Sequence, residues 1–417
     1  MSQLVLKHPD LKHEDLKFNT VEVHAGEPRD MYGALIPPIY QTSTFYFDST
    51  DDAVKACDDY AESFAYSRIT NPSVDYLEQK LAALEHGKGA VAYASGMGAV
   101  SGAIFALLKS GDHAIFTKAK YSGTEDVTSD WLPRFGIAHD TFDAADLSQL
   151  EGLIKPNTKL IYVESPANPT MVLVDIAAVV EIAHKHGVWM HTDAVQAVGA
   201  IPVDVKELGV DMLSMSAHKF NGPKGMGALY CRKGIWPQNL IDGGSQEARH
   251  RAGTENVAGI AGMGKALEMA TEHLEERMAH EKELRDYVID RILKNIPEAR
   301  LNGGLEHRLP GNANISFPGL EGETILLDLD MHGICASTGS ACNSDSLDPS
   351  HVLLSIGVPE EIGHGSMRFT FGPQNTMEEA KYLCDVLEEV IPRRRAMSCM
   401  WLQGQNTARH FSLKGEN

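Results

Sequence analysis

Residues 188–231 read VWMHTDAVQAVGAIPVDVKELGVDMLSMSAHKFNGPKGMGALYC, and this stretch decides the fold. It holds three short apolar runs, Val188–Asp193, Met212–Ser216 and Ala228–Cys231, each bounded by turn-forming residues. Runs of this length, rich in Val, Met and Leu and punctuated by Gly and Pro, predict buried strands. Working outward, Ala90–Ala94, His113–Thr117 and Leu160–Glu164 repeat the pattern. Gly98–Leu108, Leu147–Ile154 and Ile176–His186 carry helical spacing between them. Val74, Leu77, Leu81 and Leu84 predict one more helix, stopped near Gly87. Strand–helix alternation predicts an α/β fold with a mainly parallel sheet covered by helices. Ligands in such folds lie beyond the carboxyl ends of the strands.

Around this core the chain divides into four parts. Residues 1–60 are proline-punctuated and read as an N-terminal arm, and 61–262 form the large domain. Residues 263–395 form a smaller C-terminal α/β domain, and 396–417 a polar tail. A long charged helix is expected over Gly259–Lys294, bridging the two domains. A strand follows at Asn312–Phe317, then helices near Glu323–His332 and Met377–Ile391.

Composition narrows the function. The 417 residues carry 57 acidic and 37 basic side chains, a formal charge of −20, which argues against a nucleic-acid surface. No apolar run of about 18 residues predicts a membrane span, and the N-terminus lacks an apolar export core. Six scattered cysteines are too few for a disulfide framework, so a reducing cytoplasm is expected. No CxxC pair occurs and His184 and His186 stand alone, so no metal site is expected.

Five places can carry chemistry. In Ser214–Gly227, SMSAHKFNGPKGMG, a strand delivers Ser216, His218 and Lys219 to its end. A lysine there, buried and beside Lys224, would have its ammonium disfavoured and suit Schiff-base formation; a solvated turn lysine is the plainer reading. Asp193 in HTDAVQA ends another strand, where it can pair with a pyridinium nitrogen or cap a helix. Ser95–Gly98, SGMG, joins a strand to a helix and suits one phosphate better than a dinucleotide. Cys342 lies in STGSACNSDS, a small-residue loop from which a thiolate can act as nucleophile; an unreactive surface thiol is the alternative. Arg368 in SMRFTFG can clamp a carboxylate or form a surface ion pair.

Together these residues resemble the fold-type-I pyridoxal-phosphate (PLP) enzymes, and the resemblance is split. From about Asn19 to Asp175 the chain is similar to the cysteine/methionine-metabolism lyases (the cystathionine and methionine γ-lyases), through PPIYQTSTF, YSRITNPSVDYLEQKLAALE, ASGMGAV and VESPANPTM. From about His191 it is similar to the class V aminotransferase-type cysteine desulfurases, through HTDAVQAVG, SMSAHKFNGPKG, HRAGTENVAG, STGSACNSDSLDPSHVLLSIG and SMRFTFG. The resemblance implies a large PLP-binding domain and a small C-terminal domain, with Lys219 as the Schiff-base lysine and Asp193 at the pyridine nitrogen. It places Gln196 and Asn168 at the 3′-oxygen, and Gly96, Met97, Ser216 and His218 at the phosphate. Tyr66, Arg68 and Thr254 would reach the phosphate from a neighbouring subunit, so a homodimer or tetramer is expected. Arg368 would bind the substrate carboxylate.

Two departures matter. Desulfurases stack a histidine on the cofactor ring, whereas KYSGT here is lyase-like and offers Tyr121. The asparagine-rich desulfurase motif is replaced by ESPANPT. The resemblance therefore implies a cysteine desulfurase that moves the sulfur of L-cysteine to Cys342 as a persulfide and releases L-alanine. A C–S lyase acting on a sulfur or selenium amino acid and yielding pyruvate and ammonia, with Tyr121 as acid, is the alternative. An aminotransferase and a non-catalytic PLP-binding scaffold are further readings, and a sulfur-acceptor protein is an expected partner.

Overall fold

The computed structural model describes residues 38–52, 54, 64, 66–67, 71–84, 89–235, 251–338, 349–398 and 401. The chain separates into two compact units. One comprises Met1–Asn168 with Val172–His273, the other Pro169–Met171 with Leu274–Asn417.

The first unit is built on a seven-stranded sheet: β1 (Gly89–Tyr93), β2 (His113–Thr117), β3 (Ala138–Phe142), β4 (Thr158–Glu164), β5 (Trp189–Asp193), β6 (Met212–Ser216) and β7 (Gly227–Cys231). The spatial order is β1-β7-β6-β5-β4-β2-β3. β3, β2, β4, β5 and β6 run parallel, while β7 runs antiparallel between β6 and β1. Strands in such a sheet are buried on both faces, so alternate side chains enter two cores. In β4, Leu160 and Tyr162 enter one cluster with Phe116, Met212 and Leu229. Ile161 and Val163 enter the other with Ile115, Met190 and Leu213. Each such fully buried aliphatic side chain stabilises the fold by about 1.5–3 kcal/mol relative to exposure.

Helices complete both faces. α1 (Pro72–Leu84) and α5 (Val257–Thr271) bring Val74, Leu77, Ile260 and Met263 to the second core, as α4 (Ile176–Lys185) brings Val179, Val180 and Ala183. α2 (Gly96–Leu107) brings Ala99, Val100, Ala103 and Ile104 to the first. The segment from α3 (Ser122–Asp126) through a π-helical turn at Val127–Trp131 to Leu132–Arg134 is helical although its sequence carries no clear apolar period. Leu147–Ile154 is less regular than its spacing predicts, being a 3-10 turn at Leu147–Gln149 followed by one helical turn at Leu150–Leu153. β3 is absent from the sequence reading for a physical reason. It is an edge strand with only Phe142 fully buried, so AHDTF has no apolar run.

The second unit carries an antiparallel four-stranded sheet in the order β10-β11-β9-β8: β8 (Arg300–Leu301), β9 (Asn312–Ser316), β10 (Ser337–Thr338) and β11 (Ser366–Thr370). Its core is formed with α6 (Leu274–Asn295), α7 (Gly322–Met331) and α8 (Met377–Met397). The single helix expected over Gly259–Lys294 is two helices, α5 and α6, with the break at Glu272–His273. Thr376 and Glu379 close a capping box that starts α8. α8 runs past Ile391 to Met397 because Arg395 is buried, donating to the carbonyls of Pro297 and Pro318 and stacking on Trp401 at 4.0 Å. Among the described residues no helix is long and apolar enough to cross a membrane, and no group of three acidic, histidine or cysteine residues could hold a metal ion.

Candidate active site

The expected site residues of the first unit gather at the carboxyl end of its sheet. After β1, Ser95 caps α2, its hydroxyl accepting the Gly98 N–H at 3.0 Å. The remaining free N–H groups of that first turn favour an anion. Gly96 is required by crowding: a Cβ there would stand 3.0 Å from the Ser216 Cβ and 3.3 Å from a Val195 methyl. Gly227 is tighter still, because a Cβ would meet the Ser95 carbonyl oxygen at 2.3 Å. The loop after β1, the end of β6 and the start of β7 thus close on one another, leaving backbone donors where side chains would otherwise stand. Met97 belongs to the same edge, since a Cβ on Gly123 would sit 3.2 Å from its sulfur and 2.9 Å from the Tyr121 ring.

β6 ends in the turn Ala217–Phe220, closed by Asn221 in a left-handed conformation (φ 63°). The turn presents His218 and Lys219 outward, both exposed. The sequence argument that burial disfavours the Lys219 ammonium therefore fails; the side chain is open to a ligand at the rim. Partial desolvation, and after it the like charges of Lys219 and Lys224, hold the His218 imidazole below its usual pKa.

The opposite charge collects on β4 and β5. Asp193 ends β5, and Val195 N–H donates to its Oδ1 at 2.9 Å while the Tyr162 hydroxyl donates to its Oδ2 at 3.0 Å. The helix-cap alternative does not hold, because a turn follows at residues 194–200. Tyr162 is fully buried and stacks on His191 at 4.7 Å. His191 is itself buried and bonded to Ser214, and burial pushes its imidazole down to about 3, so it is neutral. Glu164 ends β4 directly beside Asp193 in register. It accepts the backbone N–H of Tyr121 at 2.7 Å and of Asn168 at 3.2 Å. Burial, then the Asp193 charge, raises its carboxyl to about 7, and burial raises Asp193 as well. Among the described residues neither carboxylate has a cation within ion-pair distance.

The remaining expected residues stand apart. Gln196 is exposed after β5, and Tyr66 is half-buried in an isolated bridge to Thr44. Thr254 is exposed in a segment held to β1 by Arg251, whose Nε donates to the Ala92 carbonyl at 3.1 Å. Arg368 is half-buried on β11 of the second unit, paired in register with Ser337 and Asn314. Arg68 and Cys342 lie outside the described residues. Sequence reasoning missed Tyr162 and Glu164, although Glu164 closes the apolar run LIYV much as Asp193 closes the run before it.

A ligand for this rim needs an anionic group for the N–H cradle, an electrophile for Lys219 and a cation for Asp193. Pyridoxal phosphate fits that donor set, and the fold and rim together are those of a fold-type-I PLP-dependent enzyme. Comparison with known proteins agrees. The family of Cys/Met metabolism PLP-dependent enzymes matches residues 19–230. A cysteine desulfurase IscS from Clostridium botulinum is 42% identical over 351 residues, covering 81% of this chain and 88% of its own. A solved NifS-like protein superposes with a TM-score of 0.67 at 29% identity, covering 77% of this chain and 88% of its own. A Campylobacter jejuni protein assigned as an O-acetylhomoserine (thiol)-lyase, solved with a pyridoxyl-lysine monophosphate, covers 90% of this chain and 100% of its own. Its TM-score is 0.68 and its identity 22%, a likeness of fold alone. The chain belongs to the PLP-dependent enzymes: residues 19–230 match the Cys/Met metabolism family, and over 81% of its length the chain belongs with the cysteine desulfurases.

Proposed function

We propose that this enzyme is a cysteine desulfurase that takes sulfur from L-cysteine onto Cys342 and releases L-alanine. The supporting observation is the 42% identity with a cysteine desulfurase over 81% of the chain. Gly96, Met97, Ser216 and His218 would hold the phosphate, Lys219 the aldehyde carbon, Asp193 the pyridine nitrogen, and Asn168 and Gln196 the 3′-oxygen. When bound, PLP supplies an electron sink for negative charge at the substrate Cα. Lys219 would take the Cα proton, and the Asp193 carboxylate would keep the ring nitrogen cationic. Tyr121, 38% exposed, would pack on the ring face. Arg368 would bind the substrate carboxylate.

The Cys342 thiolate then attacks the substrate sulfur. A sulfur–sulfur bond would form and the Cβ–sulfur bond break with its electron pair passing to Cβ, which takes a proton, and Lys219 would return to Cα the proton it took. Alanine departs and the persulfide stays on the protein until an acceptor or reductant removes it. A homodimer or tetramer, with Tyr66, Arg68 and Thr254 facing a neighbouring subunit's phosphate, and a cytoplasmic setting complete the proposal.

A second reading has one observation in its favour. Tyr121 is held by its backbone to Glu164 with its phenol open, as an acid for elimination requires. Cysteine would then give sulfide, pyruvate and ammonia without Cys342. Product analysis with L-cysteine and a reductant separates the two. Alanine equal to sulfide, abolished by Cys342→Ala, is expected; pyruvate and ammonia in place of alanine, with Cys342→Ala fully active, would overturn the desulfurase reading. Tyr121→Phe should harm elimination far more than desulfuration.

A further inference from the structure

The two carboxylates at the ends of β4 and β5 are Cα partners in register, yet their bonds differ. Asp193 takes its donors from Val195 and from a buried phenol, so its carboxylate is fixed on its own strand and the neighbouring one. Glu164 instead spends both oxygens on backbone N–H groups of two separate loops. Oε2 holds Tyr121 at the start of α3 and Oε1 holds Asn168 in the loop after β4. These are the residues assigned above to the ring face and the 3′-oxygen. At Tyr121, which precedes α3, no side-chain cap bond forms. We propose that Glu164 is a positioning residue that clamps the Tyr121 and Asn168 loops to the Asp193 strand and thereby sets the ring-face and 3′-oxygen contacts of the cofactor.

The chemistry of the bridge explains why a carboxylate is used. Two N–H donors converge on one group, and an ionised carboxylate is acceptor-only at both oxygens. A carboxamide can accept at one oxygen alone, and its NH₂ would face the other N–H. The charge state is set from several sides. Burial and then the Asp193 charge on β5 oppose the negative form, while the two N–H groups and Lys120 favour it, Lys120 being itself paired with Glu125 at 2.5 Å. A cation brought to Asp193 by the cofactor would favour the ionised bridge further. The clamp also joins the two ancestries of the site: Tyr121, Glu164 and Asn168 lie in the lyase-like half, whereas Asp193 opens the desulfurase-like half.

This inference rests on the cofactor placement proposed above, and its test separates the two failures. Glu164→Gln is compared with wild type as the PLP-loaded protein, reading visible absorbance, visible circular dichroism and the kcat and KM for alanine formation. A displaced ring face and lost 3′-oxygen contact should change the visible dichroism and lower kcat about 10- to 100-fold, with KM within about threefold. Glu164→Asp, which keeps both acceptors on a shorter arm, should recover part of the dichroism and of kcat. A Glu164→Gln protein with wild-type dichroism and kcat overturns the clamp. Wild-type protein with no visible cofactor band at all overturns the cofactor placement instead. Should Glu164→Gln fail to fold, amide hydrogen exchange on wild-type holoenzyme decides: protected Tyr121 and Asn168 amides are expected, and exchange at the unprotected rate at both overturns the clamp.

Discussion

The two ends of the seven-stranded sheet treat charge in opposite ways. At the amino end, the fully buried Asp211 accepts from Met190 N–H at 2.8 Å, His184 at 3.0 Å and Arg232 at 2.7 Å and 2.5 Å. Asp140 is held by Lys155 at 2.5 Å and His113 at 3.2 Å, and His113 is in turn bonded to Thr158 at 2.8 Å. Both of these carboxylates have a cation within the chain. At the carboxyl end, Glu164 and Asp193 stand side by side and receive only neutral donors, while His218, Lys219 and Lys224 form a separate basic group. Charges left without partners raise the free energy of the ligand-free fold, so a rim of this kind is kept for a ligand bearing both signs. Pyridoxal phosphate carries an anion at one end of its ring and a cation at the other.

Paired substitutions at the two ends give the largest expected contrast. Asp193→Asn removes the charge proposed to face the ring nitrogen and should lower kcat by about 10²–10³-fold, with thermal unfolding little changed. Asp211→Asn strands His184 and Arg232 around a neutral group and should cost about 3 kcal/mol of stability, with kcat per folded molecule unchanged. Both are read by urea unfolding alongside alanine release. Equal effects on rate and stability from the two variants would remove the distinction between the ends.

How the sheet ends look from the sequence differs just as much. β2 and β6 were legible because both lie inside the sheet: HAIFT and MLSMS fall on them at both boundaries. The placement of Lys219, Asp193 and the Ser95 cap at strand ends was legible because polar residues close the apolar runs that precede them. The edge strand β3 was not, since half-exposed residues leave no apolar signature. Nor was the Tyr162–His191 stack, because a tyrosine inside LIYV and a histidine before TD read as ordinary core until β4 and β5 are set in register. The exposure of Lys219 was one of two readings the sequence left open, decided by where the turn after β6 points.

A smaller effect follows from pH. Glu164 is raised to about 7 in the fold from an ordinary 4.5. The stability tied to its neutral form is complete below pH 4.5 and is lost as pH rises through 7, about 1–2 kcal/mol after allowance for solvent screening. His191 acts oppositely. Held neutral with its pKa near 3, it contributes stability above pH 6.5 that is lost as pH falls toward 3. Between pH 5 and 8 the two oppose each other, so the Glu164 loss is read by difference: for the cofactor-free proteins, the stability of Glu164→Gln relative to wild type should rise from pH 5 to 8. With PLP bound, its ring cation offsets the rim carboxylates, so the gap in Tm between loaded and cofactor-free protein should widen from pH 5 to 8. A gap that narrows would mean that the rim charges are answered in some other way.

The smallest contrast lies between two glycines. Gly96 sits in the cradle, where an added methyl would press on Ser216 and Val195 at 3.0–3.3 Å, contacts a buried side chain relieves only by shifting. Gly96→Ala should weaken PLP binding about fivefold, equivalent to about 1 kcal/mol, because the N–H groups are pushed away from the anion they serve. Gly152 lies in the short helix Leu150–Leu153 leading toward β4, with no atom within 4 Å of an added Cβ. Gly152→Ala should leave PLP affinity unchanged and raise stability by about 0.5 kcal/mol, through the reduced freedom of the unfolded chain. Fluorescence titration of the cofactor-free variants with PLP, beside their melting curves, reads both at once. A Gly96→Ala protein that binds PLP as tightly as wild type would mean that the crowding at the rim serves packing alone and that the anion is held elsewhere.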